Sequence, residues 1–524
     1  MKTIFVTFFS ALIILAQTSS AQSIFQKNYG ANISIGYSLV ADSSGYLIAG
    51  TINSTGQGGQ DMLIIKTDLD GIITWAKTIG GAGNEVAYAA KASSDGGYII
   101  VGSASSYSNA STDSANFYVV KTNASGNVQW TRVIGLLGTE TAKDVIETYD
   151  HKFAIVGFTK SIGAGNEDIY LTELDSAGNL LWANSFGSSG SDFGNSLVQA
   201  GNHNFLIVGS TTGFSANGQI PYLVIADEHG VLQNSYTFDL NTTVTVNKRY
   251  FTKIIEGYSN DYVITGSDGL GSIGDAQHFL LSISQTGSIN WMEKYYLNSG
   301  EGVGTSLDKT LSGGFIIGGT MGIDHPALIN TDATGGLLST KFYPDVGSPY
   351  SGKWYDVKQD PYGGFALLGY RYASGTTVYL VRTNGNLSSG CNEQPGFINT
   401  FSSMSPILNL QTSISVTDSN YVTNDSGVVA ETLPLTNVIC SDMAVSENVQ
   451  SPETLKLIRS DNSIEFILDD NRDHITELNI FSTLGNKIKF TNHTFIFLNR
   501  LAQGIYYYQV LTKNQNHYTG KFIW

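Results

Sequence analysis

Apolar residues arrive along this chain in short bursts, bounded by Gly, Ser, Asn and Asp, and no burst extends into a helical period. Seven bursts share one form, an aromatic followed by aliphatics and a closing glycine: YLIAG at 46, YIIVG at 98, FAIVG at 153, FLIVG at 205, YVITG at 262, FIIGG at 315 and FALLG at 365. The closing glycines (Gly50, Gly102, Gly157, Gly209, Gly266, Gly319, Gly369) stand 52, 55, 52, 57, 53 and 50 residues apart. A period that regular, carried by strand-like segments, marks a repeat architecture. The second copy shows the unit most clearly, with runs at 85–92, 98–103, 117–122 and 128–134 that are rich in β-branched and aromatic residues.

Four antiparallel strands per copy, repeated without helices, is the pattern of a β-propeller blade, so seven copies predict an all-β, seven-bladed propeller. The ends of the repeat region agree with a closed ring. The seventh copy lacks a fourth strand, whereas SIFQKNYG at 23–30 matches TWAKTIG at 74–80 in phase, with Phe25, Lys27 and Gly30 in the places of Trp75, Lys77 and Gly80. An N-terminal strand that completes the last blade removes an open sheet edge.

Between the third and fourth strands the copies repeat DLDG (68), NASG (123), DSAG (175), DEHG (227) and DATG (332). Asp or Asn first and Gly fourth suit a type I turn ending in a left-handed residue. Trp75, Trp130, Trp182 and Trp291 follow on the fourth strand, where a large ring fills the wedge between blades. A calcium loop would need further oxygen ligands and a distal Glu, and Asn123 and Ser284 replace the acid in other copies. No metal or cofactor is expected.

A formal charge of −16 argues against nucleic acid as partner, since phosphate binding depends on clustered cations. The start, MKTIFVTFFSALIILAQTSSAQS, has one cation, an apolar run too short to span a bilayer, and small residues before Gln22, so residues 1–21 read as a secretory signal peptide with no transmembrane segment after it. Cys391 and Cys440 are the only cysteines; export makes a disulfide plausible, and two buried thiols are the alternative. The propeller is assigned to 22–390 and a β-rich connecting segment to 391–445, whose ILNLQTSISVTDS and VVAETLPLTNVIC alternate like paired strands.

Long, irregular connections fall at one end of the blades, which makes that face the candidate binding surface. At the start of the innermost strands stand Glu85, Glu140 and Asp192, with Glu301 one place off. They form either a ring of negative potential for a cation or basic ligand, or acceptors for the N–H groups of their own glycine-rich loops. Symmetry breaks in two connections: Arg249 replaces the acid, and Tyr343, Tyr350, Trp354 and Tyr355 cluster in the other. Arg249, Tyr350 and Trp354 are therefore ligand candidates, with core packing as the rival role for the rings. No catalytic motif is present, and the eight histidines show no ligand spacing. A non-catalytic binding or adhesion scaffold is expected, with a carboxylate-pair glycoside hydrolase or a lyase as the competing class.

Residues 446–524 form a further series of short strands. ELNIFSTLGNKI (477–488), LAQGIYYYQV (501–510) and TGKFI (519–523) resemble, in order, the blocks of the type A C-terminal sorting domain of type IX secretion in Bacteroidota. The Pro-Asn-Pro start of that family is absent, only SP at 451–452 remaining. The resemblance implies an immunoglobulin-like β-sandwich that engages the secretion machinery as partner and directs the chain to the cell surface or the medium, with a glycan or surface protein as ligand.

Overall fold

The computed structural model describes residues 23–390 apart from 31–32, 54–58, 108–113, 216–217, 240–247, 270–276, 297–301, 322–324, 344–351 and 373–375. Beyond 390 it describes strands at 394–395, 399–402, 407–410, 415–418, 422–424, 436–441, 455–460, 463–468, 475–482, 487–491, 495–497, 505–512 and 517–523, with residue 513 in a turn. Two compact units are present, 1–444 and 445–524.

The first unit is a seven-bladed propeller, and no helix occurs among the described residues. Blade 2 is representative: Glu85–Ala92 innermost, then Tyr98–Ala104, Asn116–Thr122 and Val128–Ile134 outermost, each antiparallel to the next. The two middle strands of blade 2 are buried throughout, so they read as continuous apolar runs, and the cores lie between neighbouring blades. Blade 7 has three local strands, Lys353–Gln359, Phe365–Tyr372 and Thr376–Thr383, and takes its fourth from Phe25–Tyr29, which runs antiparallel to the third from Phe25 opposite Arg382 to Tyr29 opposite Val378. The ring is closed as the N-terminal phase predicts.

The repeated turn joins the third and fourth strands of a blade and packs against the blade before it. Asp68 accepts N–H groups from Asp70 and Ile72 at 3.0 and 2.8 Å, and Gly71 adopts φ +69°, so the acid serves the turn. Each turn glycine receives the outer-strand aromatic of the preceding blade: a Cβ at Gly126 would lie 2.6 Å from the Trp75 ring, one at Gly178 2.8 Å from Trp130, and one at Gly71 2.6 Å from Phe25. The same rings meet the next blade's first aromatic, with centroids 6.0–6.4 Å apart in Phe25–Tyr46, Trp75–Tyr98, Trp130–Phe153, Trp182–Phe205 and Trp291–Phe315. Phe25 thus does for the closing blade what tryptophan does in blades 1, 2, 3 and 5.

Residues 394–441 differ from the expectation of strands paired among themselves. The described strands there follow the outside of the ring against chain order, adding a fifth antiparallel strand to blade 6 (394–395), blade 5 (399–402), blade 4 (407–410), blade 3 (415–418), blade 2 (422–424) and finally blade 7 (436–441). The outermost strand of a blade otherwise presents an unpaired ladder of N–H and C=O groups, and in these six blades, though not in blade 1, a described belt strand pairs with it. Phe25–Tyr29 therefore lies between two strands that are distant in sequence, Thr376–Thr383 and Thr436–Ser441. Cys391 and Tyr350 lie outside the described residues. Cys440 pairs in register with Gln26, whose amide donates to Ser389 at 2.9 Å.

The second unit contains two antiparallel sheets. One orders 455–460, 463–468 and 495–497; the other orders 487–491, 475–482, 505–512 and 517–523. Leu478, Ile480 and Val510 of the second sheet are fully buried.

Candidate functional site

The acids at the start of the inner strands are buried and engaged. Glu85 accepts the Gly81 N–H at 2.7 Å and the Ser106 N–H at 3.1 Å. Glu140 accepts the Leu136 N–H at 3.1 Å, the Thr159 hydroxyl at 2.8 Å and the Ser161 hydroxyl. Asp192 accepts the Ser188 N–H and hydroxyl at 2.7 and 2.8 Å; burial raises its pKa, against hydrogen bonds from Thr211 and Ser188. All three tie their glycine-rich loops to the strand. Glu301 lies outside the described residues.

Arg249 begins the inner strand of blade 5 and is buried in an ion pair with Asp268 at 2.9 Å, whose second oxygen takes Lys294 at 2.6 Å. A guanidinium replaces the acid there because its neighbour already supplies a buried carboxylate. Trp354 is 2% exposed and packs on Tyr379, centroids 5.2 Å apart, in the core that includes Tyr343, Phe365 and Val357. It offers no surface to a ligand, because its position in the inner strand faces the neighbouring blade.

The side chains that line the channel come from a feature repeated seven times. Every inner strand carries a β-bulge at the same place, and the bulged residues are Tyr37, Tyr88, Lys143, Asn195, Thr252, Thr305 and Tyr355 in blades 1 to 7. All seven are partly buried. The residue before each bulge pairs with the closing glycine of the repeat, as in Ala87 with Gly102 and Ala142 with Gly157. The bulge drives an inner-strand carbonyl onto that glycine: a Cβ at Gly102 would stand 1.8 Å from the Val86 oxygen, and one at Gly157 1.9 Å from the Thr141 oxygen. The glycine that sets the sequence period is there to admit the bulge.

The seven bulged residues divide into two arcs. In blades 4 to 6 the polar atoms are spent on backbone: Asn195 donates to Phe251 O at 2.8 Å, Thr252 to Gly304 O at 2.6 Å, and Thr305 to Gly318 O at 3.1 Å. In blades 7, 1, 2 and 3 the rings of Tyr355, Tyr37 and Tyr88 follow one another at 4.8 and 5.3 Å, and the Lys143 ammonium sits 3.9 Å from the Tyr88 centroid. The hydroxyls of Tyr37 and Tyr88 make no hydrogen bond to any described residue. Burial raises the pKa of both, and for Tyr37 the adjacent Tyr355 and Tyr88 add to it, so both remain hydrogen-bond donors. Burial pulls Lys143 down to about 8.

Further along the channel lies a layer of charges. Lys253 of blade 5 pairs with Asp144 of blade 3 at 2.6 Å, and Ser196 of the blade between donates to the same oxygen, also at 2.6 Å. Lys358 pairs with Asp356 at 2.8 Å, and the Leu39 N–H reaches the other Asp356 oxygen at 2.8 Å. Burial pushes both carboxyls up, but the lysines outweigh it and hold them below the usual range. Lys91 has no carboxylate partner among the described residues; the charge of Lys253, then burial, bring it down to about 8.

None of these channel residues is marked by a motif. The signal lay in the invariant glycine inside an apolar strand, which indicates a bulge opposite and so a side chain displaced toward the axis.

No family model matches the chain, and no curated protein matches its sequence. Among solved structures it is similar to the extracellular domain of BT3049 from B. thetaiotaomicron, at 12% identity and a TM-score of 0.40 over 95% of this chain and 57% of that one. It is similar to polysaccharide lyase Uly1, at 10% identity and 0.42 over 67% of this chain and 90% of that one. It is also similar to PorZ, a surface component of the type IX secretion system of Porphyromonas gingivalis, at 9% identity and 0.20 over 95% of this chain and all of that one. At such identities no function transfers from these likenesses.

Proposed function

We propose that this chain is an exported binding protein of the bacterial surface, whose propeller grips a glycan or a surface protein at the tyrosine arc of its channel. The observation that carries the reading is the broken symmetry at one structural position. Three blades place Asn or Thr there and consume its polar atoms in the fold, whereas four place large side chains, of which Tyr37, Tyr88 and Lys143 keep donors unspent. Aromatic faces beside unspent donors suit a polar ligand with flat apolar patches.

A polysaccharide hydrolase with a carboxylate pair needs those carboxylates free to exchange protons. Glu85, Glu140 and Asp192 are bound to their loops, and Asp144 and Asp356 to lysines, which favours binding over hydrolysis by a carboxylate pair. A glycan and peptide array with the mature chain, followed by turnover assays on each hit, tests this. Binding that needs Tyr88 and Lys143 and leaves the ligand intact is expected. A hit untouched by Tyr88→Ala and Lys143→Ala, or one that is cleaved, contradicts the reading.

The route belongs to the same proposal. The three blocks between 477 and 523 support delivery by type IX secretion after a signal peptide carries the chain over the inner membrane, and no helix among the described residues is long and apolar enough to cross a membrane. Deleting 446–524 is expected to abolish surface exposure; unchanged exposure contradicts the sorting role. A Cys391–Cys440 bridge is part of this picture, since Ser389 and Cys440 both adjoin Gln26. Quantitative thiol labelling of the denatured protein is expected to find no free thiol before reduction and two after it.

A further inference from the structure

Resting on the channel reading above, the charge class of the ligand can be taken further. We infer that the tyrosine arc receives the oxyanion of an acidic saccharide, a carboxylate or a sulfate ester, with Lys143 and the hydroxyls of Tyr37 and Tyr88 as its donors and Lys91 as an unpaired cation deeper in the channel. Of the four lysines on this side of the inner strands, Lys253 and Lys358 are each matched to an aspartate at 2.6 and 2.8 Å. Lys91 and Lys143 are matched to none among the described residues. Lys143 rests on the Tyr88 face at 3.9 Å, with Phe158 at 5.9 Å, and Lys91 faces Lys253, Asp144, Lys358 and Asp356.

A buried ammonium with no ion pair of its own is costly; the fold gives Lys253 and Lys358 an aspartate each, leaves Lys91 only the shared fields of those two aspartates, and leaves Lys143 only aromatic faces. The mismatch is resolved when an anion enters. Lys91 stands three residues beyond the bulged Tyr88, a rise of about 10 Å along the strand, so its charge acts from deeper in the channel while Lys143 makes the contact at the level of the rings. Tyrosine hydroxyls that stay protonated donate to the same oxygens. The rings of Tyr37, Tyr88 and Tyr355 supply the faces on which a sugar ring lies, a feature that an acidic peptide does not require.

Both lysines fall to about 8, so the site is fully cationic below that pH and loses charge above it. Affinity for the anion is greatest at pH 6–7 and declines as pH rises through about 8, by an amount set by how far the bound anion lifts the two lysines.

The test is calorimetric titration of the mature chain at pH 6.5 and pH 10 with oligogalacturonate, a sulfated oligosaccharide, a neutral oligosaccharide of equal length and an Asp-rich peptide. Binding of either acidic saccharide at pH 6.5, weakened about tenfold or more by Lys143→Met and by pH 10, is the expected result, and whichever of the two binds distinguishes carboxylate from sulfate. Equal binding of the neutral sugar overturns the anion and leaves the channel as the site. Binding of the peptide alone overturns the saccharide. Absence of binding by all four, with no channel-dependent hit on the array, overturns the channel reading itself. Lys91→Met supplies a second readout that does not depend on the choice of sugar. Its thermal midpoint is expected to rise without ligand, because a charge facing Lys253 is removed, and a fall would show that Lys91 is a satisfied structural group and contradict the inference.

Discussion

The two arcs of the channel are built on one backbone and differ only in what the bulged residue does with its polar atoms. On the blade 4 to 6 side, Asn195, Thr252 and Thr305 stitch inner strands to backbone carbonyls and leave little to offer. On the blade 7 to 3 side, Tyr355, Tyr37, Tyr88 and Lys143 pack on one another, and the hydroxyls of Tyr37 and Tyr88 and the Lys143 ammonium remain unspent. The lesson is that a repeat fold keeps its scaffold by repetition and acquires a site where repetition lapses.

The device common to both arcs is the bulge, and disturbing it gives the largest effect. Gly102→Ala beneath Tyr88 and Gly266→Ala beneath Thr252 each force a Cβ onto a carbonyl oxygen, at 1.8 and 2.2 Å. Each is expected to cost roughly 3 kcal/mol or more in denaturant unfolding, whichever arc it belongs to. A small cost in either would show that the bulge is not what the glycine serves.

Acid should expose a weakness of the polar arc. His278 of blade 5 is buried, its Nε2–H donating to Thr320 O at 3.0 Å, and burial lowers its pKa to about 4. The unfolded chain takes up this proton near 6.5, so stability is lost as pH falls from about 6.5 and levels off below about 4, by about 3 kcal/mol in total. His278→Gln should flatten that part of the stability–pH curve in chemical denaturation, and an unchanged curve would contradict the assignment.

The smallest effects separate the arcs most cleanly. Thr252→Val removes hydrogen bonds to Gly304 O and Thr265 O and is expected to cost about 1 kcal/mol of stability with no change in ligand binding. Tyr88→Phe, which loses a hydroxyl with no hydrogen-bond partner among the described residues, should leave stability within about 0.5 kcal/mol and weaken binding. Exchange of these two outcomes would reverse the roles assigned to the arcs.

Most of the scaffold was legible in the chain. The period of the closing glycines, the turn signature ending in Gly71 or Gly126, and the phase match of Phe25 with Trp75 each follow from local chemistry, so blade number, turn role and ring closure could be read directly. The belt was legible only as strands, because its partners are blade edges that sequence does not name. The site residues were harder still. Trp354 and Arg249 stood out by type, but one fills a core and the other answers the buried Asp268. Tyr37, Tyr88 and Lys143 look ordinary in sequence, since only the displacement by the bulge turns them toward the axis.

The central claim, that the tyrosine arc is the binding surface, is tested most directly by probing one glycan array with the wild-type chain and with matched Tyr88→Ala and Thr252→Val variants. The account predicts that hits persist with Thr252→Val and fall about tenfold or more with Tyr88→Ala. Hits that survive Tyr88→Ala undiminished, or that vanish with Thr252→Val alone, would contradict it.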